Sequence, residues 1–276
     1  MSNTTDLTDL TITSEKFIKF FMDNFPIDTN NTDFTNHTKQ VCKTIFNKIK
    51  KYNKFLKLNK SKLLKSHLVK IESVKQIPKC ELNSSHFIPK KIKLHIDDQS
   101  KYHLQYVYTN SKQIFKINFV LFNDTDIYNL HLYNRYVHYV LVWLLFAIDQ
   151  AVNKSCSKQL NIFIYMIDIK KEFPNMNTRI LDVTHVNSAV TRTCAFENNI
   201  LIFRKEEWFK VLIHETFHSF SLDFSAHPDL SVLNTNLKSI FNINSKFNAF
   251  ESYAEFWAEL MNVLFISFIF NKKKEN

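Results

Sequence analysis

Apolar residues recur at two different periods along this chain. "SEKFIKFFMDNF" (14–25) sets Phe17, Phe20, Phe21 and Phe25 at helical spacing behind a serine, which predicts a short amphipathic helix. From Asn36 to about Lys75, lysines alternate with apolar residues at a period that suits one or two helices with a basic face. Pro78 and Pro89 bracket a change of character. Beyond them "KIKLHID", "YHLQYVYTN" and "KQIFKINFVLF" are short, rich in β-formers and separated by "DDQSK" and "TNS", the pattern of antiparallel strands. "DIYNLHLYNRYVHYVLVWLLFAIDQAV" (126–152) opens on an aspartate and contains neither proline nor glycine, so it predicts a long, mostly buried helix. "NIFIYMIDI" (161–169), "THVNSAVTRTCAF" (184–196) and "NILIF" (199–203) predict strands, and "RKEEWFKVLIHETFHSF" (204–220) returns to the helical period. A last helix, rich in alanine, glutamate and aromatics, is expected over "KFNAFESYAEFWAELMNVLFISFIF" (246–270). The order predicts an α+β chain: a mostly helical, basic extension over 1–85, then a catalytic-sized domain over 86–276.

Composition narrows the function classes. Hydrophobic residues make up 45% and aromatics 14%, so the chain has enough to pack a core. Glycine is absent altogether, which argues against nucleotide binding by a glycine loop and leaves positive-φ turns mainly to asparagine and aspartate, as in "NFPIDTNNTD", "FNDTD" and "ENN". A net charge of +10 raises nucleic acid, membrane surface and acidic partners. Lysine, asparagine, isoleucine and phenylalanine have AT-rich codons, however, so genomic bias is expected to be the main source of it. The basic face near residues 43–75 lacks a base-reading module, so it is read as solvated and nucleic acid is not expected as a partner. Cys42, Cys80, Cys156 and Cys194 form no close pair and are expected to be free thiols in a reducing compartment. The amino terminus has no secretory signal, and the apolar runs 136–148 and 260–270 fall short of the roughly 20 residues that span a bilayer, so an intracellular protein without a membrane span is expected.

The chemistry concentrates in "VLIHETFHSF". His214 and His218 lie one helical turn apart, so both imidazoles can face one metal ion, and Glu215 falls beside it, placed to take a proton from its water. A catalytic zinc wants three protein ligands and one open position. The compact pattern with a glycine and a third histidine is excluded, because Ser221 and Phe224 stand at those positions. Asp223 is a lesser candidate. "ESYAEFWAE" on the last helix is the better one: Glu251 can bind metal while Glu255, one turn on, reaches the other nitrogen of a ligand histidine, and the alanines let two helices approach closely.

His-Glu-x-x-His followed by Glu-x-x-Ala-Glu on a later helix resembles the gluzincin metallopeptidases, over about residues 126 to 270. The resemblance implies a zincin-like domain with a mixed sheet, an active-site helix and a glutamate helix. It also implies one Zn²⁺ per chain on His214, His218 and Glu251, with Glu255 orienting His214. It further implies a sheet-edge strand that pairs with an extended peptide, and "VNSAVT" (186–191), with Asn187, Ser188 and Ala189, looks like that element. The family supplies a tyrosine or histidine to stabilise the oxyanion; His227 is the choice here, with Tyr253 and His185 behind it. The expected function is zinc-dependent peptide hydrolysis through a metal-activated water, with Glu215 as general base and a peptide or protein as substrate. Together with the AT-rich composition, the chain looks like a gluzincin-like protein of a large DNA virus. The competing expectation is a catalytically inactive protein of the same fold, a virion or host-interaction protein in which zinc is structural or lost. A basic nucleic-acid-binding protein resting on residues 43–75 alone is the third.

Overall fold

The computed structural model describes Asp23 and residues 35–175, 180–227, 229–243, 245 and 247–274, with side chains to Ile269. The helix expected over 14–25 lies, apart from Asp23, outside the described residues. The first complete element is α1 (Asn36–Leu63), opened by Thr35, whose hydroxyl accepts from the Thr38 amide, and closed by Lys60 and Lys62 in its last turn. Ile49, Asn53 and Leu56, spaced by one turn each, form its buried face.

Two stretches fold otherwise than their pattern suggests. The chain leaves the helix at Leu64, where a helix had been expected to run toward Lys75, and forms β1 (Leu64–Lys70). This strand pairs residue for residue with β2 (Tyr102–Thr109). Leu64 and Leu68 are one turn apart and suit a helix as well as a strand, and the ladder to β2 decides between them. Conversely, "KIKLHID" is not a strand but the core of α2 (Lys90–Gln99), which starts directly after Pro89. Apolar residues at 92, 94 and 96 satisfy a period of two, yet Ile92 and Ile96 are buried while Leu94 is half exposed, the burial of a helix face.

The sheet is mixed and six-stranded, in the order β1-β2-β3-β4-β6-β5. β3 (Ile114–Leu121), β4 (Gln159–Tyr165) and β6 (Glu197–Ile202) run parallel, while β2 lies antiparallel to both β1 and β3, and β5 (Ala189–Thr191) lies antiparallel to β6 at the far edge. One face is covered by α1, by α3 (Leu130–Gln150), by α5 (Trp208–Ser219) and by α7 (Ala249–Lys274), around Tyr106, Phe115, Phe119, Trp143, Phe217 and Phe265. The other is covered by the segment from Ile71 to Ile96, which packs on Val120, Phe163, Tyr165, Leu201 and Phe203. Ile49 and Leu56 of α1 belong to the same core as β2 and α3. The described residues therefore form an α+β fold in which the basic amino-terminal helix is built into the core. Of two further helices, α4 (Val183–Val186) comes just before β5 in sequence, and α6 (Ser231–Ile240) comes between the two motif helices.

The cysteine expectation is corrected. Cys156 and Cys194 form a disulfide across a sequence separation of 38, joining the loop before β4 to the loop between β5 and β6, while Cys42 and Cys80 are free. A pair this far apart carries no local spacing signal. Closing such a loop contributes about 2–4 kcal/mol by restricting the unfolded chain.

Positive φ also falls on unexpected residues: Ser157, Glu207 and Ser221 adopt it, and no asparagine or aspartate does among the described residues. Two of the three bracket α5, immediately before its first residue and two after its last. Without glycine each such position costs about 1–2 kcal/mol, which the packing around this helix has to offset.

Candidate metal centre

Helix α5 is held from three sides. Nearly all of it is buried, from Trp208 to Ser219. The Trp143 indole of α3 donates to the Thr216 hydroxyl at 2.8 Å, and the Ser157 hydroxyl donates to the Ser219 carbonyl at 2.8 Å near the helix end. These contacts fix the rotation of α5 and thereby aim His214 and His218 away from the sheet, toward α7.

Between α5 and α7 the side chains form a ladder. Lys210, His214 and His218 succeed one another by one turn on α5, and Glu259, Glu255 and Glu251 do the same on α7. Lys210 Nζ lies 3.6 Å from Glu259 and 2.6 Å from Glu255. His214 then reaches Glu255 through Nδ1 at 2.9 Å and Glu251 through Nε2 at 3.2 Å. His218 Nε2 ends the series at 3.4 Å from Glu251. Fully buried Ala254 and Ala258 lie on α7 where it faces this core, and side chains of that size allow the two helices to approach. Lys210 was not singled out from sequence; its spacing to His214 repeats that of the two histidines and was the available signal.

His218 Nδ1 is held by Asp223 Oδ2 at 2.5 Å, so Asp223 sits on the outer nitrogen and not at the point where the ligand atoms meet. Ser221 makes this possible. Its left-handed backbone closes a Schellman turn, with Leu222 N–H donating to Phe217 O at 2.8 Å and Ser221 N–H to His218 O at 3.1 Å. The chain thus reverses and brings Asp223 back against the helix it has just left, where it also accepts from the Ser225 hydroxyl at 2.7 Å.

The inner atoms converge. The two Nε2 atoms lie 3.2 Å apart, and with Glu251 Oε2 they form a cluster whose three residues can hold a metal ion. If each Nδ1–H donates to its own carboxylate, both Nε2 atoms are lone-pair acceptors facing one another and a third acceptor. Three acceptors aimed at one point are a set that could hold a cation between them.

The charges respond to this arrangement. Burial works against a charged His214, but Glu251 and Glu255 outweigh it and push the ring up to about 9. For His218 burial is likewise outweighed, by Asp223 and Glu251, and the ring is pushed up to about 10. The same contacts, His214 foremost, hold Glu251 and Glu255 down at about 2. Glu215 differs from both: burial pushes its carboxyl up to about 6, with the histidines acting in the opposite direction.

A cleft of about 620 Å³ opens beside the cluster, lined by His214, Glu215, His218, Glu251 and Glu255 on one side and by residues 186–191 on the other. The strand proper is Ala189–Thr191, the last three residues of the expected element 186–191: Asn187 ends α4, and the Ser188 carbonyl accepts from the Phe203 amide just ahead of the strand. All three of Asn187, Ser188 and Ala189 line the cleft. Buried Arg204 holds this wall in place, donating to the carbonyls of Asn187, Thr184 and Ile169.

The oxyanion candidates are elsewhere. His227 is exposed and its ring engages Asp229 of its own loop. His185 pairs with Asp182 at 2.8 Å, and Tyr253 lines a separate cavity of about 350 Å³ with Trp143, Phe217 and Trp257. Among the described residues, no helix is long and apolar enough to cross a membrane. No protein-family model, curated protein or solved structure matches the chain.

The outer carboxylates provide a direct test. Asp223→Ala and Glu255→Ala should each weaken metal binding about 10–100-fold, because each removes the partner that fixes one imidazole. Competition with a fluorescent chelator measures this; unchanged affinity in both variants would show that the carboxylates do not orient ligands.

Proposed function

We propose that the chain is a zinc-dependent peptidase with a zincin-like, gluzincin-type site. The observation that carries this reading is the convergence of His214 Nε2, His218 Nε2 and Glu251 Oε2, with separations of 3.2, 3.2 and 3.4 Å. Tetrahedral zinc with nitrogen ligands near 2.05 Å has ligand-to-ligand edges of about 3.3 Å, so the donor set fits that ion. Outer carboxylates on both Nδ1 atoms suit the same role. When bound, zinc supplies Lewis acidity, lowering the pKa of water and polarising a carbonyl.

The remaining work falls to the chain. Glu215 is buried against the cluster with its carboxyl near 6, the range in which a base accepts and returns a proton at neutral pH. β5 is the last strand of the sheet, so its outer edge offers backbone groups along the cleft to an extended peptide, which would add as a further strand. Half-exposed Phe87 and Val186 on the cleft lining offer contact to an apolar side chain of that peptide.

A non-catalytic metal protein is the competing reading, and one observation favours it: none of His227, Tyr253 and His185 lines the cleft. Metal analysis of the purified protein together with cleavage of a diverse peptide library tests the proposal. One zinc per chain is expected, with cleavage lost to a chelator and restored by zinc. Full zinc content without cleavage of any library member would leave the non-catalytic reading.

A further inference from the structure

The positive charge of the chain is concentrated in one place. Residues 36–70 hold eleven lysines and no aspartate or glutamate, so about an eighth of the sequence carries the whole formal excess of +10, and the rest balances to within one unit. Genomic codon bias would spread lysine along the chain and does not account for this.

The structure arranges the lysines into a row. Lys39, Lys43, Lys50, Lys54 and Lys57 are exposed on α1. Their spacing keeps them within a sector of about 60° over a length of about 27 Å, at 100° and 1.5 Å per residue. Lys48 and Lys60 are otherwise engaged, with Asp149 and with the Asn134 carbonyl. Among the described residues no carboxylate pairs with the five in the row. Ile49 and Leu56, more than 100° round the helix from the centre of the row, are held in the core and leave the row outward, and α1 contributes nothing to the cleft of the metal centre.

We propose that this face of α1 binds the phosphate backbone of double-helical nucleic acid without sequence preference. A straight row of unpaired cations is complementary to a line of phosphates. The face offers no stacking platform for unpaired bases: Phe55, the exposed phenylalanine of α1, lies about 100° outside the row. A lipid surface is less well matched, because an interfacial helix needs a free apolar face and that of α1 is already spent on the core. Leu58, at 71% exposure, is the one strongly protruding apolar residue of the helix.

The test is fluorescence anisotropy of the full chain with 20-base-pair duplexes of mixed sequence. With four or five phosphates neutralised, raising salt from 50 to 200 mM should weaken binding about 150–500-fold, similarly for every sequence. Replacing Lys43, Lys50, Lys54 and Lys57 by Gln should reduce affinity at 50 mM salt more than about 100-fold and flatten the salt dependence, with melting temperature and metal content unchanged. A control carrying Lys90→Gln, Lys91→Gln and Lys93→Gln on α2 should bind as the wild type does. Should the fourfold variant not fold, the wild-type salt dependence and the α2 control still decide. The proposal is overturned if the wild type fails to bind duplex at 50 mM salt, if the fourfold variant retains binding, or if the control loses as much. It is equally overturned if phosphatidylserine vesicles are bound in preference to duplex.

Discussion

Glu215→Gln is expected to keep its metal and melt near the wild-type temperature, while peptide cleavage falls by about 10²–10⁴-fold, the contribution of a positioned general base. The amide preserves the size of the side chain but not its basicity. Glu215 is not one of the three groups whose atoms converge, so metal content should be indifferent to the change. The pH dependence has a definite sign. Burial raises the carboxyl to about 6, so the ionised, proton-accepting form dominates above that value and is lost as the pH falls through it. With zinc held in excess, the wild-type profile should therefore fall on the acid side as Glu215 takes up its proton, and the residual activity of the Gln variant should fall less steeply there. Retained cleavage in the variant would remove Glu215 from the mechanism whatever the metal does.

The parts of this molecule that were legible in sequence are those in which one local pattern dominates. The long apolar helix at 130–150, the strands at 102–109 and 114–121, and the two helices carrying histidine and glutamate all have a single period. Residues 64–70 and 90–99 satisfy two periods at once, and pairing or packing partners distant in sequence choose between them. The disulfide depends on two loops meeting at one end of the neighbouring strands β4 and β6 and leaves no trace in either loop alone.

The site divides along the same line. His214, His218, Glu251 and Glu255 are spaced by whole helical turns, so their convergence follows once two helices pack face to face. The ladder also includes Lys210 and Glu259, which obey the same spacing at its other end. Asp223 is different in kind. Its place on His218 depends on a left-handed serine two residues earlier, and a turn made without glycine or asparagine has no signature in sequence. Strain at Glu207 and Ser221, on either side of the ligand helix, marks where the fold gives up local stability to set the site.

Glu251→Ala is expected to reduce metal affinity more than about 100-fold, beyond the 10–100-fold expected for loss of an outer carboxylate, because it removes one of three converging donors and the one contacting both imidazoles. The proton balance makes this prediction sharper. In metal-free protein the two rings are raised above their usual 6.5, so the stability their ion pairs contribute is complete below about pH 6.5 and is lost as pH rises through about 9 and 10. Metal must displace those protons, so uptake should release between one and two of them. Affinity should then rise about 10–100-fold per pH unit between roughly pH 6.5 and 9. Removing Glu251 deletes a carboxylate that raises both rings, so protons should leave more easily and the dependence on pH should flatten in this range, even as the overall affinity falls. Metal-free Glu251→Ala should accordingly be less stable than metal-free wild type below pH 6.5, with the difference shrinking toward pH 9. Isothermal titration in buffers of different ionisation enthalpy measures the proton release, and thermal melts across the same range measure the stability. Metal occupancy equal to wild type, or proton release unchanged by the substitution, would place the ion somewhere other than on His214, His218 and Glu251.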